Sequence, residues 1–219
     1  MFGAFLFGKG FFMKLSNGTE VIAKPYREKD MEEIVNLIHR NFMEVNVKDY
    51  GKKAMAALSA THDVNWFKGV AEYAHVYVFW NEDKIVGVGS ISSFWGSLTE
   101  SILLTIFVLP EFHGQGIGSY IIDTLESDEL FLRAERIEIP ASITAVEFYR
   151  KKLVDSATKA LEAKGIHKVA LVAFEKNISG NAFWEKVGFT IRDDLVYRNK
   201  YIHQLKRVDL IQYGGCIWK

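Results

Sequence analysis

Three glycines at alternate positions, Gly114-Gln115-Gly116-Ile117-Gly118, constrain this chain more than any other feature. Ahead of them runs Ser101 to Val108 (SILLTIFV), a continuous apolar stretch of the kind expected in a central strand covered on both faces. Leu109-Pro110 closes it. Behind the glycines, Tyr120, Ile121, Ile122 and Leu125 recur at helical spacing. A buried strand therefore passes through a turn without Cβ atoms straight into a helix. The first amides of such a helix have no partner within it, and its dipole adds partial positive charge. Together they make an anion site matched to a pyrophosphate. A nucleotide-hydrolysing loop would need Gly-Lys-Ser/Thr, whereas Gly118 is followed by Ser119-Tyr120. A dinucleotide-binding loop would have Gly-x-Gly-x-x-Gly near the first strand of its domain, and neither condition holds.

Upstream, Thr19 to Tyr26 reads as a first strand, rich in β-branched and aromatic residues. Asp30 is placed to cap a helix carrying Met31, Ile34, Leu37, Ile38 and Phe42. A second helical region spans about Gly51 to Tyr73, with a break near Thr61-His62-Asp63. His75 to Trp80 and Lys84 to Ser92 then form a hairpin around Asn81-Glu82-Asp83. The order is strand, two helices, three strands, glycine loop, helix. That is an α/β (α+β) arrangement: a mixed, mostly antiparallel sheet flanked by helices.

Composition narrows the function. Hydrophobic residues make up 49% of the chain, enough for a substantial core. Lys plus Arg equals Asp plus Glu at 27 each, so no global field draws the chain to nucleic acid or an anionic membrane. The single cysteine, Cys216, forms no intrachain disulfide, and the six scattered histidines show no metal-site spacing. Residues 1–12 (MFGAFLFGKGFF) are apolar, too short to span a bilayer and without a basic leader region, and Met13 opens ordinary sequence. The expectation is a cytoplasmic protein with no metal, nucleic-acid or membrane partner.

The loop resembles the coenzyme A loop of the GNAT-type N-acetyltransferase superfamily, Gln/Arg-x-x-Gly-x-Gly/Ala. Here it reads His113-Gly114-Gln115-Gly116-Ile117-Gly118, led in by Val108-Leu109-Pro110-Glu111-Phe112 and followed by Ser119-Tyr120-Ile121-Ile122. His113 stands where Gln or Arg is usual. The resemblance covers about Thr19 to Lys151. It implies a GNAT-like sheet, acetyl-CoA as co-substrate, and a small-molecule or peptide amine as acceptor. It also implies that the backbone of Phe107 and Val108 pairs with the pantetheine arm, and that His113, Gly114, Gln115, Gly116, Ile117, Gly118 and Ser119 hold the pyrophosphate.

The same family's next landmark is a strand followed by a helix bearing Asn-x-x-Ala-x-x-Phe/Leu-Tyr-x-Lys-x-Gly-Phe, and this chain has two candidates. Arg136 to Pro140 precedes Ser142-Ile143-Thr144-Ala145-Val146-Glu147-Phe148-Tyr149. Lys168 to Val172 precedes Asn177 to Phe189, where Trp184 replaces the tyrosine. Only the first has a phosphate loop upstream. The expected organisation is an apolar extension at 1–12, an acetyl-CoA-binding core at 13–151, and a partial second helix–strand–helix unit at 152–219. Ser142 to Gly165 has no proline or internal glycine, so one long helix can join the copies.

Transfer of an acetyl group to nitrogen needs a proton for the departing thiolate and a deprotonated amine. Tyr149 is the candidate acid if the first copy docks beside the loop, and Glu100, at the start of the central strand, is a candidate base through water. Phe94, Trp95 and Tyr73 are candidate pocket walls or core residues. The alternative function is a non-catalytic acyl-CoA-binding or interaction protein. The tail, Tyr197 to Lys219, has an edge-strand pattern at Leu210 to Tyr213 that suits pairing across a homodimer.

Overall fold

The computed structural model describes residues 12–171, 173 and 176–191. By its contacts the chain forms two compact units, Met1–Ala163 and Lys164–Lys219.

The first unit is a six-stranded sheet in sequential order, formed by β1 (Phe12–Lys14), β2 (Glu20–Pro25), β3 (His75–Asn81), β4 (Lys84–Ser93), β5 (Glu100–Val108) and β6 (Arg136–Glu138). Neighbours are antiparallel up to β5, and β6 joins β5 in parallel. The sheet is thus mixed and mostly antiparallel, as the element order implies.

Helices α1 (Met31–Arg40), α2 (Val47–Tyr50), α3 (Lys52–Thr61) and α4 (Val64–Tyr73) fill the stretch between β2 and β3. The break read at Thr61-His62-Asp63 is where α3 ends. Asp63 then caps α4, its Oδ1 accepting the Trp66 amide at 2.9 Å. Asp30 precedes α1, but its carboxylate accepts from the Arg27 amide and guanidinium instead of capping that helix. Between α1 and α2 the backbone widens into a π turn, Asn41–Asn46.

Helix α5 (Ile117–Glu126) buries Ile117, Tyr120, Ile121, Ile122 and Leu125, the spacing of a helix pressed on a sheet. Its seat is Gly87 and Gly89 of β4. A Cβ on Gly87 would lie 3.1 Å from Ile121 Cδ1, and one on Gly89 would overlap Ile121 Cγ2. Helix α6 (Glu129–Leu132) follows, capped by Asp128, whose buried carboxylate also accepts the Tyr77 hydroxyl at 2.6 Å.

Two faces of the sheet can be told apart by register. Gly87 and Gly89 lie on the α5 face. Val88 pairs with Phe107, so Phe107 points to the opposite face, where Phe42 of the π turn meets it edge-on at 5.6 Å. The glycine-loop helix and the π turn thus stand on opposite faces of the strand they share.

The expectation that Ser101 to Val108 is covered on both faces is only half met. Ser101 and Leu103 are buried, but Leu104 to Val108 are half-exposed because they border a cavity.

Helix α7 (Val146–Glu162) is the single long helix expected after Ser142 and belongs wholly to the first unit. In the second unit, α8 (Ile178–Lys186) is capped by Asn177, whose Oδ1 accepts the Gly180 amide at 3.1 Å. Gly188, at φ +94°, ends it. Residues 168–171 are not a strand, in contrast to the reading of Lys168 to Val172. Val172, the Leu210 to Tyr213 segment, His203, Cys216 and nearly all of 1–12 lie outside the described residues.

Candidate active site

The glycine loop is built from its ends. A 3-10 turn, Pro110–Phe112, carries β5 into it. Glu111 pins that turn: its Oε1 accepts from Arg40 of α1 at 3.0 Å and from Lys84 of β4 at 2.8 Å. Hydrogen bonds from Arg40 and then Lys84 hold its carboxyl down at about 2. Gly114 (φ +74°) and Gly116 (φ +87°) take left-handed backbone that an L side chain disfavours. Gly116 begins α5, its carbonyl accepting the Tyr120 amide at 3.1 Å. Among the described residues, the amides of Gly114 to Ser119 make no backbone hydrogen bond. Gly118 lies under the Phe148 ring, where an added Cβ would sit 3.3 Å away. The sequence thus places six uncommitted N–H groups at a helix N-terminus, the donor set an anionic phosphate needs.

Beside the loop, β5 is irregular. Two steps of β4, Val88 to Ser90, face three of β5, Phe107 to Leu104. The extra residue forms a bulge, and Thr105 adopts φ +53° there. A β-branched residue in this region is strained by roughly 1–2 kcal/mol. The bulge leaves Thr105 and Ile106 without register partners on β4. On the other side β6 pairs with β5 only from Glu100 to Ile102, and then Pro140, which has no N–H, ends any ladder. The two strands part, and backbone groups of β5 face open space between them.

That space is a cavity of about 870 Å³. It is lined by Leu103 to Val108 of β5, by His113, Gly114 and Gly116 to Ser119 of the loop, and by Ile139 to Ser142, Phe148 and Tyr149 across the gap. On the α1 face Asn41, Phe42, Val45, Asn46, Tyr50, Met55 and Leu58 complete it. The Tyr50 hydroxyl accepts the Ile143 amide at 2.8 Å, and Asp49 accepts the Thr144 hydroxyl. These two bonds tie α2 to the segment entering α7 across the mouth.

Tyr149 opens into the same cavity as the loop, and its hydroxyl has no hydrogen-bond partner among the described residues. Burial alone pushes its phenol up to about 12. His113 lies at the rim, and its Nε2–H donates to the Val108 carbonyl at 2.8 Å. In the neutral ring this commits the one N–H, leaving Nδ1 as an acceptor with nothing to offer a phosphate. Gln115 turns its side chain inward, donating to the Glu111 carbonyl at 3.1 Å. Phe107 and Val108 also line the cavity.

Glu100 is not brought to this site. It sits at the opposite end of β5, paired with Arg136 at 3.2 Å, and does not line the cavity. Phe94, Trp95 and Tyr73 do not line it either. Trp95 is 92% exposed and Tyr73 59%. Three lining features escape the sequence reading: the left-handed Thr105, and the asparagines Asn41 and Asn46 of the π turn. The one available signal was a pair of polar residues five apart flanking Phe42 and Val45, at and just beyond the end of the helix expected to carry Phe42.

Among the described residues there is no group of three or more His, Cys, Asp or Glu suited to a metal, and no helix long and apolar enough to cross a membrane.

Comparison with known proteins agrees with this architecture. Residues 72–152, which hold β3 to β6, the loop and Tyr149, match the family model of the acetyltransferase (GNAT) domain. A GCN5-related N-acetyltransferase (aminotransferase, class II) from Rhodopseudomonas palustris superposes with a TM-score of 0.51 at 19% identity, over 66% of this chain and 84% of that one. A GCN5-related N-acetyltransferase from Ralstonia eutropha JMP134 gives 0.48 at 13% identity, over 73% and 99%. The PaiA N-acetyltransferase from Thermoplasma acidophilum, in complex with coenzyme A, gives 0.42 at 13%, over 79% and 91%. No curated protein matches the sequence. At such identities the structural likeness concerns the fold.

Proposed function

We propose that this chain, which belongs to the GNAT acetyltransferase superfamily, moves an acetyl group from acetyl-CoA directly to a primary amine. The observation that carries the reading is one cavity shared by three things: the unpaired loop amides, the parted edge of β5, and the unpartnered Tyr149 hydroxyl.

In this scheme the amides of Gly114 to Ser119 hold the pyrophosphate, and the backbone of Phe107 and Val108 pairs with the pantetheine arm. The thioester then lies in the gap between β5 and β6. The amine lone pair attacks the carbonyl carbon and a C–N bond forms. In this scheme backbone N–H groups beside the Thr105 bulge stabilise the resulting oxyanion. Collapse breaks the C–S bond, the electron pair leaves on sulfur, and Tyr149 supplies the proton that makes the thiol. The nitrogen gives up its own proton through water and restores the phenol. Glu100, tied to Arg136 outside the cavity, takes no part.

The test is a calorimetric titration of acetyl-CoA into the wild-type protein and into Gly116→Trp. One site per chain, lost in the variant, supports the loop assignment, because a side chain at φ +87° is strained and would crowd the loop against Met13. Thiol release on adding amines then separates transfer from binding. Tight binding without release would favour the alternative, a non-catalytic acyl-CoA-binding protein.

A further inference from the structure

The α1 side of the cavity has a composition that specifies the acceptor. Its lining there is Phe42, Val45, Met55 and Leu58, interrupted by the carboxamides of Asn41 and Asn46 and the Tyr50 hydroxyl. No Asp, Glu, Lys or Arg lines the cavity among the described residues. Carboxylates nearby are already engaged: Glu44 with Arg40, Glu111 with Arg40 and Lys84, Asp49 with the Thr144 hydroxyl.

The asparagines are aimed by the π turn. In an α-helix, residues five apart point about 140° away from each other. A π turn closes i to i+5, so such residues come near one face, and Asn41 and Asn46 are its first and last. Asn41 is 4% exposed and Asn46 9%. The Asn41 Nδ2 donates to the Leu37 carbonyl at 3.0 Å, which leaves its Oδ1 without a partner. The Asn46 carboxamide has none among the described residues. Yet no fully enclosed polar atom lacks a partner, so these amide atoms keep access, and the space they line is the cavity. Two buried, under-satisfied carboxamides facing a cavity are polar groups kept for a ligand.

We infer that the acceptor is an apolar monoamine, entering on the α1 face with its nitrogen held by Asn41 and Asn46 and its body against Phe42, Val45, Met55 and Leu58. This rests on the function proposed above. A carboxamide oxygen accepts an N–H from a neutral amine without supplying charge. An ammonium group pushed into such a chamber loses its hydration and gains no counter-charge, which drives off its proton. One nitrogen is thereby delivered as the nucleophile. A polyamine would have to bury further ammonium groups against no carboxylate, at a cost nothing here offsets.

The experiment titrates phenethylamine and spermidine, separately, into the protein saturated with coenzyme A, using wild type, Asn46→Leu and Asn46→Asp. Phenethylamine should bind wild type at least about tenfold tighter than spermidine. Asn46→Leu should lose about tenfold for phenethylamine, the worth of one hydrogen bond in a buried site. Asn46→Asp should move the preference towards spermidine. Coenzyme A affinity should stay the same in all three, which shows that they fold. Spermidine binding as tightly as phenethylamine, phenethylamine failing to bind the loaded protein, or indifference to both substitutions would each overturn the inference and leave the coenzyme A site standing. Failure of coenzyme A to bind wild type would sink the proposed function, and this inference with it.

Discussion

Ile121 of α5 occupies the space that a side chain at Gly89 of β4 would need. The contact decides how close the loop helix comes to the sheet, and so where its N-terminal amides point. Gly89→Ala should therefore do more than overpack. A cost of about 1–3 kcal/mol is expected in denaturant unfolding, with weaker acetyl-CoA binding as α5 is pushed outwards. Gly69→Ala is the control, since a Cβ in the middle of α4 meets nothing within 4 Å. That change should stabilise by roughly 0.5–1 kcal/mol through helix propensity alone. Equal losses at both sites would show that the close approach of α5 is not what Gly89 serves.

Glu111 lies outside the loop but holds its entrance, bridging α1 and β4 through Arg40 and Lys84. Its carboxyl titrates near 2, below its ordinary range, because both cations favour the ionised form. The sign follows. Any stability it contributes is complete above the unfolded carboxyl pKa and is lost as pH falls towards 2. All three side chains are substantially exposed and screened, so the effect on global stability should be slight. The effect on the loop should be larger. Glu111→Gln is expected to weaken acetyl-CoA binding several-fold while unfolding curves hardly move, and added salt should narrow the gap between wild type and variant. A loss that salt leaves untouched would argue against the ion-pair account.

How far the site could be read from sequence depended on whether its geometry was local. The glycine loop was legible because left-handed backbone at Gly114 and Gly116 demands glycine, Gly118 leaves room for the Phe148 ring, and the apolar runs on either side fixed strand and helix. Tyr149 could be paired with that loop because one helix separates them, and the structure brings both to one cavity. Thr105 gave no warning. A β-branched residue in an apolar run reads as regular strand, and only the parting of β5 from β6 exposes its bulge. The π turn was silent for a similar reason, since its register differs from an α-helix by less than periodicity resolves over six residues. Glu100 was misleading. The sequence puts it on the right strand, but a strand has two ends, and Arg136 of β6 claims it at the end away from the loop.

The Thr105 backbone carries a third prediction. Glycine relieves the left-handed strain, about 1–2 kcal/mol, but surrenders about 0.5–1 kcal/mol of chain entropy. Thr105→Gly should therefore come out level or more stable by up to roughly 1.5 kcal/mol. Turnover should nevertheless fall, because the fixed direction of the neighbouring N–H groups is what the bulge provides. Stability preserved with activity reduced is the outcome that assigns the strain to function. Thr105→Gly with full activity would make the bulge a structural accommodation only.

Tyr149 gives the sharpest test of chemistry. Removing its hydroxyl leaves the ring, and with it the contact to Phe148 at 5.0 Å, so Tyr149→Phe should bind acetyl-CoA as wild type does. Turnover should drop about 10²–10⁴-fold, the range for one general acid, with most of the loss in kcat. The phenol's elevation to about 12 sets the pH dependence. Its protonated, donating form persists well above the ordinary tyrosine value of about 10, so wild-type rates should hold through pH 10. Stability moves the other way. Between about pH 10 and 12 the unfolded chain releases this proton while the folded one retains it, so folding weakens as pH rises through that window. Tyr149→Phe should remove that part of the alkaline destabilisation. A variant that keeps wild-type turnover, yet loses the alkaline slope, would leave Tyr149 as a packing residue and return the search for the proton donor to the cavity's solvent.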